Sequence, residues 1–122
     1  MAESFAGYRI TNPTTKAAPL LYTSRGLRAT GVISNRPCNL VVLAGYNPGT
    51  EALFLQLHES EPRTGAVPAW MVAVPKRGSF SWVPAQGGRV FSRLHFAISS
   101  TPDTYTPAAV GFWLDAEGST LG

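Results

Sequence analysis

The sequence predicts an all-β fold: a single antiparallel β-sandwich, of jelly-roll or immunoglobulin-like type, with an extended N-terminal arm. Three observations predict it. The 122 residues hold 12 glycines and 10 prolines against 14% charged residues, a chain that turns often and has little room for long helices. Apolar residues recur at period two in short runs, the alternation of half-buried strands. Pro/Gly-rich breaks separate those runs at spacings of roughly ten to fifteen residues, which suits about seven or eight strands of a sandwich or small barrel. The length fits one domain, and 44% apolar with 11% aromatic residues is enough for one compact core.

Residues 1–26 mix Gly, Pro, Thr and Ser with a few aromatics and read as an extended arm or a loosely paired first strand, leaving 27–122 for the sandwich. "LRATGVIS" then places Leu27, Ala29 and Ile33 on one side and Arg28, Thr30 and Ser34 on the other. "LVVLAGY", Leu40 to Tyr46, is apolar on both faces, as a central strand is, and "NPG" supplies the turn after it. In "EALFLQLHE", Leu53, Leu55 and Leu57 share one face, and Phe54, Gln56 and His58 share the other. "SEPRTGAVP" is a loop.

"AWMVAV" and "SFSWV", joined by "KRG", read as a hairpin in which Trp70 and Trp82 fill the core. "RVFSRLHFAIS" reads as one late strand, with Val90, Leu94, Phe96 and Ile98 pointing one way and Phe91, Arg93, His95 and Ala97 the other. "STPDTYTP" is an ordered loop. "AVGFWLDA" closes the pattern with Val110, Phe112 and Leu114 inward and Trp113 outward.

Cys38 is the only cysteine, so an intramolecular disulfide and a Cys-based metal cage are excluded, and the residue reads as a small apolar filler. No apolar run approaches the roughly 18 residues of a membrane span, and no basic stretch followed by an apolar one reads as an export signal, so a soluble chain without membrane contact is expected. The net charge of +3 is uneven: Arg9, Lys16, Arg25, Arg28 and Arg36 stand against Glu3 in the first 50 residues. Five dispersed cations with no Arg/Lys run and no RNA-binding aromatic motif do not make a nucleic-acid footprint.

The repeated Leu-His pair, Leu57–His58 and Leu94–His95, raises a metal site or two strands passing side by side. Glu59, Glu61 and Asp103 lack compact ligand spacing, so no metal is expected. Ser99, Ser100 and Thr101 near His95 and Asp103 have no "GxSxG" elbow, and "QGGR" lacks the Lys-Ser/Thr of a phosphate cradle. No catalytic residue and no cofactor are expected. Trp113, next to Asp115 and opposite the apolar row, is the best single interface or stacking residue, and Arg9, Lys16, Arg25 and Arg28 are the charged interface candidates.

The order "FLQLHES…TGAVPAWMVAVPKRGSFSW…GGRVFSRLHFAISSTPDTYT" resembles a group of small proteins encoded among the structural genes of tailed bacteriophages, over roughly residues 30–116. That group's pattern has a glycine before the late strand, where this chain has Ser92–Arg93. The resemblance implies a non-enzymatic virion structural protein, assembled in the host cytoplasm. Its expected role is capsid decoration or cement, its partners the major capsid protein or other virion proteins, with homo-oligomers expected from virion symmetry. The alternative is a carbohydrate- or receptor-binding sandwich of a head fibre or tail appendage, stacking a surface glycan on Trp113 or Trp70 with Asp103, Thr104 and Gln86 reading hydroxyls.

Overall fold

The computed structural model describes residues 18–84 and 86–121, and every regular element within them is a strand. In chain order these are β1 (Ala18–Thr23), β2 (Thr30–Ser34), β3 (Cys38–Asn47), β4 (Leu53–His58), β5 (Trp70–Val74), β6 (Gly78–Trp82), β7 (Arg89–Phe91), β8 (Leu94–Ser99) and β9 (Trp113–Thr120). They form two antiparallel sheets in a sandwich-like arrangement. One runs β1-β9-β3-β6, with β7 sharing the β6 side of β3; the other runs β2-β8-β4-β5. The pairing closes from the outside inward: β1 with β9, β2 with β8, β3 with β6 and β7, β4 with β5.

Period-two alternation supplies the core, because only alternate side chains of each strand face the opposite sheet. Leu20, Leu40, Leu43, Phe91, Leu114 and Ala116 from the first sheet meet Leu53, Leu55, Leu57, Val74, Leu94, Phe96 and Ile98 from the second in one apolar cluster. Tyr22 and Phe96 touch edge to face across it, with ring centroids 5.9 Å apart. Cys38 is fully buried there, as the filler expected, and burial pushes its thiol above the ordinary thiol range.

The strand rows Leu53/Leu55/Leu57 and Leu94/Phe96/Ile98 face inward as read from the sequence. Ala18–Thr23, counted with the arm in that reading, are the edge strand beside β9; residues 1–17 lie outside the described part. Leu27, expected on the inner row, is exposed because the strand begins only at Thr30.

Two sequence expectations are corrected. The "KRG" turn does not close a hairpin: β5 pairs with β4 and β6 with β3, so the turn carries the chain from one sheet to the other. Buried Asn47 helps hold that corner, its Nδ2 donating to the Glu51 and Pro75 carbonyls at 3.0 and 3.1 Å while its Oδ1 accepts from Gly49 N. The late strand is also two strands in different sheets, broken at Ser92–Arg93. Phe91 therefore turns inward and Val90 outward, the reverse of the expected rows. Ser92 N donates to Glu59 Oε2 at 3.0 Å, which ties the break to the end of β4.

Candidate functional site

The two histidines are strand neighbours: His58 and His95 stand directly opposite each other in the β4–β8 ladder. Both point away from the core, yet His58, Gln56, Ala97 and Ser99 are buried, because the loop after β8 folds back over this face. Gln56 clamps the loop, its Nε2 donating to the carbonyls of Thr101, Pro102 and Thr104 at 2.9, 3.2 and 3.0 Å. His58 Nε2–H donates to the remaining Gln56 oxygen at 2.9 Å, and Tyr105 of the loop packs edge-on against the imidazole. Ser99 Oγ accepts from Thr101 N and Thr106 N and donates to the Thr101 carbonyl. The Ser99 hydroxyl, the Gln56 amide and the His58 imidazole thus hold a loop in place. Burial first, and the facing His95 second, push the His58 pKa below its ordinary value. Among the described residues no group of three or more His, Cys, Asp or Glu comes together.

Among the described residues, no loop covers the outer face of the other sheet. Trp113 lies opposite Tyr46 in the β9–β3 ladder, and the two are 48% and 39% exposed. Val41 and Leu21 add exposed apolar surface to the same sheet. β3 is central in its sheet, but its Val41 and Tyr46 are exposed, so the expectation of a strand buried on both faces does not hold. The bulge where Glu117 pairs with Val42 and Gly118 with Leu40 leaves Val41 as the extra residue. Gly118 is required there, since a Cβ would run into the Asn39 carbonyl oxygen.

Two of the charged candidates belong to this end of the molecule. Arg28 exchanges backbone hydrogen bonds with Phe112, the residue before Trp113, and its Nε reaches the Ser24 carbonyl at 3.4 Å. Arg25, exposed and held at a left-handed φ of 53°, lines a shallow hollow of about 400 Å³ with Leu21, Thr23, Asp115 and Glu117. Arg9 and Lys16 lie outside the described residues. Asp103 and Thr104 sit on the loop over the opposite outer face, so the structure does not bring them to Trp113.

Trp70 departs furthest from expectation, while Trp82 is half-buried and packs against the core. They come from different sheets and stack on each other at the open edge between them, centroids 5.5 Å apart and planes 16° from parallel. Trp70 is 41% exposed rather than core. The Arg89 guanidinium lies 4.8 Å from the Trp70 ring centroid. Sequence reasoning missed Arg89 because only the split of the late strand turns it toward the tryptophans. It missed Tyr46 too, although its outward phase in the β3 alternation was a usable signal.

No protein-family model, no curated protein and no solved structure matches the chain.

Proposed function

We propose that the chain is a non-enzymatic structural protein of a tailed-bacteriophage virion, a capsid-decoration or cement protein that binds the shell through the outer face of the β1-β9-β3-β6 sheet. One observation carries this reading: that face presents Trp113 and Tyr46 in register, 48% and 39% exposed with no cover among the described residues, while the other outer face is closed by the chain's own loop. A rigid, aromatic, uncovered sheet face is what docking by shape requires. The outside-inward strand pairing supports the jelly-roll alternative over the immunoglobulin-like one, and jelly rolls serve as viral capsid and lectin domains. The resemblance of the motif order to that of phage structural proteins is the remaining support.

In this reading the major capsid protein is the partner and copies repeat with the symmetry of the shell. Residues ahead of β1 act as the arm, and Arg9, Lys16, Arg25 and Arg28 form an electrostatic contact with an acidic shell surface. The test is mass spectrometry of virions purified from the phage or prophage that carries the gene. High copy number in wild-type particles, lost in a folded Trp113→Ser variant, is the expected result. Absence of the protein from particles overturns the reading, and a few copies per particle moves it to the tail.

A second reading, a carbohydrate- or receptor-binding module of a head fibre or tail appendage, is favoured by one separate observation, the open Trp70–Trp82 stack.

A further inference from the structure

The β3 edge opposite β9 is occupied at both ends and open in the middle. β6 pairs with Leu43–Asn47 and β7 with Cys38–Leu40, so no strand pairs with Val41 and Val42 on that side. The chain leaves the sheet at Trp82 and returns at Arg89, through a turn in which Gly87 and Gly88 take φ of 88° and 94°. Asn39 Nδ2 donates to the Gly87 carbonyl at 2.7 Å, which holds the turn against β3. Trp82 and Arg89 flank the opening, and Trp70 reaches it from the other sheet. The result is a hollow of about 310 Å³ lined by Trp70, Trp82, Val83, Pro84, Gly88 and Arg89.

The chemistry of that lining selects a ligand. Trp70 is 41% exposed while Trp82 packs in part against the core, so the open part of the pair forgoes some of the hydrophobic gain that aromatic burial supplies, and an incoming apolar ring face recovers it. The Arg89 guanidinium carbon lies 4.8 and 5.5 Å from the Trp70 and Phe91 ring centroids. Among the described residues, its guanidinium donates only one long bond, 3.5 Å to the Ala69 carbonyl. A guanidinium fork with donors to spare matches a carboxylate, and it is the one cation in the lining. The volume is at the low end for small-molecule sites, room for a ring or two rather than for a partner's surface. Exposed Gln86, in the adjoining turn, supplies an amide for hydroxyls.

We propose that this hollow binds an acidic saccharide, a pyranose unit carrying a carboxylate, with its ring against the Trp70–Trp82 pair and its carboxylate on Arg89. The proposal gives the carbohydrate-binding reading a site and a ligand class. It is independent of shell docking, which uses a different face.

The test uses the purified chain, titrated by tryptophan fluorescence and calorimetry with a galacturonic acid oligomer, a neutral galactose oligomer of equal length, and polyglutamate. The acidic sugar is expected to bind at least about tenfold more tightly than the other two, since a charge-assisted contact and a stacked ring are both needed. Arg89→Gln should lose about tenfold or more of that affinity at unchanged melting temperature, and Trp70→Phe should weaken it less than Arg89→Gln does. Trp113→Ser should bind as wild type, which separates this site from the docking face. Silence toward the galacturonic acid oligomer overturns the proposal. So does equal binding of the neutral sugar or of polyglutamate, or full affinity in Arg89→Gln. Loss of particle binding alone leaves it standing.

Discussion

The two outer faces of the molecule start from the same strand alternation and end differently. On β4 and β8 the outward residues Gln56, His58 and Ser99 are hydrogen-bonding groups, and a loop with exposed carbonyls follows β8, so the face recruits its own cover. On β9 and β3 the outward Trp113, Tyr46 and Val41 stay exposed beside Asp115 and Glu117, and among the described residues no loop meets them. A sheet face closes on itself when its outward polar groups can satisfy a loop's backbone, because backbone carbonyls cannot be buried unpaired.

Substitutions can break or sharpen this contrast. The largest effect belongs to the core beneath both faces: Leu55→Ala or Phe96→Ala, each fully buried, should cost about 2–5 kcal/mol in denaturant unfolding. Next is the clamp. Gln56→Ala strands three loop carbonyls and should cost about 1–3 kcal/mol, with new protease cleavage within residues 100–106. That variant makes the covered face resemble the bare one; wild-type proteolysis would show that the loop does not depend on Gln56.

A smaller, pH-dependent effect should follow from His58. Its folded pKa is lowered, so the unfolded chain takes up the proton at higher pH than the folded one does. The stability it contributes is fully present above its ordinary value of 6.5 and is lost as pH falls from there through the lowered value. Melting temperatures measured between pH 8 and pH 5 should drop less in His58→Gln than in wild type. The smallest effect is on the bare face, where Trp113→Ser should change stability by no more than about 0.5 kcal/mol. A larger loss would mean that Trp113 supports the fold instead of waiting for a partner.

The rows that period two defines were legible in the sequence: Leu53, Leu55 and Leu57 lie beside Leu94, Phe96 and Ile98 on one inner face, and Trp113 points outward. What escaped was decided by contacts distant in sequence. "KRG" between two strands has the local chemistry of a hairpin turn, and the sheet switch is visible only once Asn47 reaches across to the Pro75 carbonyl. The alternation in "RVFSRLHF" slips phase at Ser92–Arg93, and a phase slip inside an apolar run has no local marker other than the missing glycine. The cover over His58 depends on Gln56 meeting carbonyls 45 to 48 positions away. The Trp70–Trp82 hollow required both the sheet switch and the split strand, so it was not readable at all.

The pairing of β1 with β9 joins Ala18 to Thr120, a separation of 102 residues. Closing so long a loop before any contact rewards it makes folding slow, on the millisecond-to-second scale typical of all-β topologies. On the ribosome the first sheet cannot be completed until its last strand has emerged, although β4, β5 and β8 of the other sheet are already synthesised. Until then β3 lacks its β9 neighbour and shows its edge to every other nascent copy. A chaperone that holds that edge until β9 emerges should raise the yield of folded protein, and slow translation of residues 100–112, which prolongs the wait, should lower it.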